Sequence, residues 1–397
     1  MTAPIISRRK FLSQTLAAAV ALPATKFFQP APILPTRRRL RELGIVIGAL
    51  PTGQWNAITD VPGVKVGHCT RFEGEGELVV GRGPIRTGVT VILPNEDIYR
   101  ENLTAGRFVM NGNGEMTGVG SIDQRGLLQS PIFLTDTSNI GRVMNGAMTW
   151  FLQTYPEIGD TAPAPVPLVA ETWAGFLHDS AGRHLGDAQV LAAINSATSG
   201  TVQEGAVGGG TGMVCYDFKG GIGTASRVLP ESQGGYTLGV LAQTNHGGRG
   251  QLMINGVPVG KEITDLQRVT GQKTKSILLI GATNAPMLPA QLQRLCKRMA
   301  FGLARTGAVS SHGSGDLLLF FSTGVKVKPD AALTAIEIFN DEAITRLHQA
   351  ALEAAEEAIL NSLCMAETTA GINGNTALAL PIERLPEIMK KYGRPIQ

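Results

Sequence analysis

Apolar residues fall in short unbroken blocks through much of this chain, with Gly, Pro and Asn between them. Ile277-Leu-Leu-Ile280, closed by Gly281 and an Asn284-Ala-Pro286 turn, predicts a strand buried on both faces. Leu317-Leu-Leu-Phe-Phe-Ser322 predicts a second. Between them Leu288, Leu292, Leu295, Met299 and Leu303 recur at three-to-four spacing, the pattern of a helix with Pro289 near its first turn. Asn340 is placed to cap a long helix, with Asp341 and Glu342 in the first turn and Ile344, Leu347, Ala351, Ala355 and Ile359 on one face. Before Ser276, residues 88–93, 132–135, 167–172 and 236–242 read as strands and residues 141–154 as a helix. Residues 205–212 form a glycine-rich connector. Unbroken apolar strands beside one-faced helices predict sheets covered by helices, a layered α/β arrangement rather than a β-sandwich. No fixed-period repeat or heptad seam is present, and no linker divides residues 40–397, so one domain is expected.

The first residues follow different rules. Ser7-Arg8-Arg9-Lys10-Phe11-Leu12 precedes an apolar run, residues 15–22, and then Pro23. A basic start, a short apolar stretch and a polar exit predict an export signal too short to span a bilayer. Consecutive arginines followed by Phe-Leu fit its twin-arginine form, which makes the protein periplasmic or secreted, with no stable membrane anchor expected. Residues 29–35 then read as an extended linker.

Composition narrows the function. Of 397 residues, 43% are hydrophobic and only 5% aromatic, and 49 are glycine, which suits tight turns and layers of small aliphatics. The formal charge of +3 becomes −1 without residues 1–28, which carry Arg8, Arg9, Lys10 and Lys26 and no acid (3 − 4 = −1). Apart from Arg37-Arg38-Arg39 no basic block remains and no aromatics interleave with it, so nucleic-acid binding is not expected. Cys69, Cys215, Cys296 and Cys364 show no paired spacing, and Cys296 and Cys364 lie on apolar helical patterns that suit buried thiols. The six histidines make no metal-binding spacing, and Gly208-Gly-Gly-Thr-Gly212 lacks the lysine of a phosphate loop. No metal or other cofactor is expected.

Ser276 stands just before the Ile277 strand. Cut off from its predecessor, it would carry both a nucleophilic hydroxyl and an α-amine, which titrates near ~7.7–8 and serves as its own base. Ser314 and Asp316, two apart before another buried strand, share a face in extended chain and could orient that amine or relay its proton. Asn245 follows a strand, where its amide could donate to a developing oxyanion, and Glu171 ends another, where it could hold a substrate ammonium. Each segment alone also reads as an ordinary strand end or polar turn.

Taken together, several segments resemble the L-aminopeptidase/D-esterase family, which includes the β-peptidyl aminopeptidases. They are residues 43–45, the Asn56–His68 run, residues 87–91, Asn111-Gly-Asn-Gly-Glu115, Ala206-Val-Gly-Gly-Gly-Thr-Gly212, residues 282–286, residues 302–307 and Gly313-Ser-Gly-Asp316. The resemblance implies a four-layer αββα sandwich, layered like the N-terminal nucleophile hydrolases but differently connected. It also implies self-cleavage. Residues 1–36 would be signal and linker and residues 37–397 one hydrolase domain, cut into an α chain ending at Lys275 and a β chain of residues 276–397. Ser276 then matches the nucleophile, Ser314 and Asp316 its supporting pair, and Asn245 the oxyanion donor, while Glu171 and Trp173 fall at substrate-binding positions. The implied substrates are short peptides or amino-acid amides and esters, and the implied assembly is a homo-oligomer, by family habit a tetramer.

Two positions depart from the family pattern. Lys275 stands where a Gly is usual, and Gly more readily takes the strained geometry of an acyl shift. Trp173 stands where a Tyr can donate to the oxyanion, and an indole N–H has a different reach. Two alternatives stay in view: an acyltransferase of the related, also self-processing ornithine acetyltransferase type, whose nucleophile is usually Thr, and, on the strength of these two departures, an uncut periplasmic peptide-binding protein.

Overall fold

The structure, a computed structural model, describes residues 36–272, 274–394 and 396. The predicted export signal lies outside them, apart from Thr36 at its boundary. Residues 37–397 make one compact unit.

In chain order the strands are β1 (Lys65–Glu73), β2 (Ile85–Leu93), β3 (Asn102–Gly112), β4 (Leu127–Leu128), β5 (Ile132–Asp136), β6 (Leu168–Thr172), the short β7 (Val214–Cys215) and β8 (Phe218–Lys219), β9 (Gly221–Val228), β10 (Thr237–Asn245), β11 (Lys275–Thr283) and β12 (Ser314–Val327). The helices used below are α1 (Gly120–Arg125), α2 (Ile140–Thr154), α3 (Asp187–Asn195), α4 (Val259–Glu262), α5 (Pro289–Arg305) and α6 (Thr345–Met365). One sheet has the order β1-β2-β5-β6 and the other β4-β3-β12-β11-β10-β9. Both are mixed: β5 with β6 and β11 with β12 are parallel, and the remaining pairs are antiparallel.

Alternation along the strands sorts side chains into layers. Val89, Val91, Phe133 and Val169 face α2 and α3 in one buried cluster. Ile92, Leu134 and Ala170 point the other way and meet Leu241, Leu278, Ile280, Leu317 and Leu319 between the sheets. The opposite face of the larger sheet, with Ile277, Leu279, Leu318 and Phe320, is covered by α5 and α6. The layers therefore run helix, sheet, sheet, helix, the αββα sandwich of the expectation.

The helix α6 is buried nearly all round, acids included. Glu353, Glu356 and Glu357 are 3%, 3% and 0% exposed. Carboxylates in such a place need partners. Arg227 on β9 meets Glu353 at 3.0 Å and Glu357 at 2.8 Å, and Arg41 reaches Glu357 at 2.8 Å. Packing is close enough that a side chain at Gly223 on β9 would run into the Ala358 carbonyl of α6, 2.0 Å from where its Cβ would sit.

The apolar blocks mark real strands and helices but understate them. The strand expected over residues 236–242 runs to Asn245, and that over 317–322 spans Ser314–Val327. The strand β1 was not expected: it lies at a sheet edge, its outer half carries Thr70, Arg71 and Glu73, and only Val66 and Gly67 are buried. Nor was β9, whose Gly-Ile-Gly-Thr-Ala-Ser-Arg-Val sequence is buried with few large apolar residues.

Candidate active site

The expected site residues gather where β10, β11 and β12 begin or end together. Ser276 is the second residue of β11, 2% exposed. Its neighbours across the sheet are Asn245 on the antiparallel β10 and Gly315 on the parallel β12. Side chains paired across a sheet point to the same face. Ser276 and Asn245 therefore look into the space between the sheets, on the side of Leu278 and Leu241.

Gly315 fits this register because a side chain there would strike the Asn113 carbonyl, 2.6 Å from its Cβ position, and the backbone of Gly114. The Asn111–Glu115 run wraps this corner. Asn111 Nδ2 donates to Ser311 O at 2.7 Å and to Ser314 Oγ at 3.1 Å, and Asn113 Nδ2 donates to Gly313 O at 2.7 Å.

Ser314 and Asp316 do share a face, as their spacing predicts, and Ser314 Oγ donates to Asp316 Oδ2 at 2.9 Å. The register pairs them with Lys275 and Ile277, so in the uncut chain they stand on the helix side of the sheet. The hydroxyl of Ser276 stands on the other side. Ser310 also donates to Asp316, and burial pushes the Asp316 carboxyl above the usual range, partly offset by the two hydroxyls.

On the Ser276 side, the Asn245 amide is held at both ends. Its Oδ1 accepts from Val214 N at 2.9 Å and Gln272 Nε2 at 3.2 Å, while Nδ2 donates to Trp173 O at 2.9 Å. Glu171, 4% exposed, accepts from Glu115 N at 3.1 Å and from the Thr137 hydroxyl. Burial pushes its carboxyl up against those two hydrogen bonds. Glu171 Oε1 lies 3.2 Å from the Cβ position of Gly114, which itself adjoins Gly315. Trp173 is half-buried against Phe176, its indole folded over Gly175. It offers Asn245 its backbone carbonyl.

Several contributors had no sign in the chain's pattern. Lys219 is fully buried, and its ammonium donates to the carbonyls of Gly210, Met213 and Gly220 at 3.2, 2.9 and 2.7 Å. It thereby ties down the glycine-rich connector just before Val214, which holds Asn245. His246, next to Asn245, has Nδ1 3.8 Å from Cys215 Sγ, and its Nε2 has no partner among the described residues. Burial and the Lys275 ammonium push its imidazole down to about 3. A glycine run followed by Lys-Gly-Gly is the one signal that could have pointed to Lys219. All four cysteines are free thiols.

Residues 56–377 match Peptidase family S58. The beta-peptidyl aminopeptidase BapA of Sphingosinicella microcystinivorans is 42% identical over 373 residues, covering 90% of this chain and 93% of that protein. Among solved structures, a Burkholderia sp. beta-aminopeptidase superposes with a TM-score of 0.84 at 40% identity, over 90% of this chain and 99% of the other. The L-aminopeptidase D-Ala-esterase/amidase of Ochrobactrum anthropi, described as a prototype serine aminopeptidase and a variant of the Ntn hydrolase fold, gives 0.84 at 39% identity, over 90% and 99%. A match of this length, on this layering of sheets and helices, decides the matter: the chain belongs to Peptidase family S58 and is an aminopeptidase of that family.

Proposed function

We propose that the chain cuts itself between Lys275 and Ser276 and then uses Ser276 as an N-terminal nucleophile on short peptides, amides or esters. One observation carries this reading: Ser276 opens a central strand with Asn245 paired beside it on the same face. In the first step Ser276 Oγ attacks the Lys275 carbonyl. The C–N bond breaks as the ester C–O bond forms, and the hydroxyl proton passes to the nitrogen. Water then hydrolyses the ester, leaving a Lys275 carboxylate and a free Ser276 amine. That amine takes the Oγ proton when a substrate carbonyl is attacked and returns it to the leaving amine.

Ser314 and Asp316 support the new chain end. They flank Gly315, the backbone neighbour of Ser276, and become reachable from it once the 275–276 bond no longer fixes which way Ser276 faces. Asn245 donates to the oxyanion, and Glu171 holds the substrate's ammonium. Export through the twin-arginine route and assembly into homo-oligomers extend the same reading. The test is Ser276→Ala: on a denaturing gel it should run as one chain and lack amidase activity, while wild type runs as two. A Ser276→Ala protein with wild-type turnover would end the proposal.

A further inference from the structure

Lys275 shows what the site holds. Its side chain lies on the helix side of the sheet, with Nζ donating to the Gly247 carbonyl at 2.5 Å. Beside it lies a small cavity of about 10 Å³, room for on the order of one water, which Lys275 itself helps to line. Its walls include His246, Gln251, Ser314, Asp316 and Leu303. The chemistry of these walls suits a cation: a backbone carbonyl, a carboxylate and the Ser314 hydroxyl, beside an imidazole whose Nε2, in a residue 4% exposed, has no partner among the described residues. A stem of four methylenes passes from the strand to these acceptors.

This inference rests on the proposed self-cleavage. In that step Lys275 is the acyl half of an ester on Ser276 Oγ. In turnover the substrate's N-terminal residue forms the same ester on the same atom: its C–Oγ bond forms, its C–N bond breaks, and the leaving amine takes the proton. The two acyl groups occupy one place in succession. We propose that the pocket vacated by Lys275 is the side-chain pocket for the substrate's N-terminal residue, and that the enzyme prefers an L-residue carrying a terminal ammonium, lysine above others. The α-ammonium of such a substrate turns to Glu171 on the other side of the strand, and its side chain takes the place of the Lys275 side chain.

The experiment uses the processed wild-type enzyme with two anilides, L-lysine p-nitroanilide and L-norleucine p-nitroanilide, which differ essentially in the terminal ammonium. The expected kcat/KM ratio is tenfold or more in favour of lysine. Gln251→Glu, which adds a negative charge to the pocket wall, should raise the ratio further. Equal rates, or faster norleucine turnover, by an enzyme that is cut and active would overturn the lysine pocket and leave the serine mechanism standing. An uncut chain inactive on both anilides and on simple alanine amides would overturn the mechanism and the pocket with it.

Discussion

Removing the charge of Glu357 should unlatch the segment around Arg41 from α6. The Glu357 carboxylate is fully buried and accepts from Arg41 Nε at 2.8 and 3.0 Å, Arg227 Nη2 at 2.8 Å and Asn56 Nδ2 at 2.5 Å. Glu357→Gln keeps the volume and one acceptor, but turns the other oxygen into a donor facing donors. Arg227 retains Glu353, whereas Arg41 loses its one acidic partner among the described residues. Breaking a buried pair from one side costs about 3–5 kcal/mol. Because the Arg41 side chain is 26% exposed and water takes up part of its charge, the lower end, about 3 kcal/mol, is expected. Residues 37–397 number 361 (397 − 36), so at ~2.1 cal/mol/K per residue the unfolding entropy is roughly 0.76 kcal/mol/K. The expected drop in melting temperature is therefore about 4 °C. The assay is thermal unfolding in a Ser276→Ala background, so that chain cutting does not enter. Glu356→Gln is the control, because the Arg305 partner of Glu356 is 55% exposed and 3.4 Å away, and its loss should move the midpoint by no more than about 1 °C. A Glu357→Gln protein that melts with its parent would refute the reasoning.

Other outcomes follow from the site. Asn245→Ala should lower kcat by roughly 10²–10³ if the amide serves the oxyanion, with KM moving less, and a loss below tenfold would speak against that role. Lys275→Gly removes the hydrogen bond from Nζ to Gly247 O, a charged bond of about 1.5–3 kcal/mol, and should speed self-cleavage by roughly tenfold; a slower cut, read by mass spectrometry over time, would contradict this. The Asp316 carboxyl is raised by burial, so the folded chain holds its proton more tightly than the unfolded one. Its contribution favours folding at low pH and is lost as pH rises from about 3.9 through the raised value. Asp316→Asn in the uncut Ser276→Ala protein should therefore gain stability relative to its parent as pH rises through that window. Denaturant melts showing a flat or falling difference would reject the assignment.

The layers of the fold were legible because a strand such as Leu317–Ser322 or a helix such as Pro289–Arg305 announces itself by local period. The site was legible only in part. The two-residue spacing of Ser314 and Asp316 shows that they share a face, and nothing local shows which face. That depends on the parallel register of β12 against β11, which sets Ser276 beside Gly315. The burial of Glu353 and Glu357 was hidden for a similar reason. On a helix pattern they read as the solvated side, and their partner Arg227 lies 126 and 130 positions away. Lys275 looked like a departure from a family habit, whereas the structure shows its ammonium anchored on Gly247.

Whether Ser276 works as a chain end is tested most directly by following one freshly made preparation through time. The fraction cut before Ser276 is measured by mass spectrometry of the denatured protein, and amidase activity is measured on the same samples. If Ser276 is an N-terminal nucleophile, activity starts near zero and rises in proportion to the cut fraction, with the new amine at Ser276. Full activity in a chain still intact at 275–276 would contradict it.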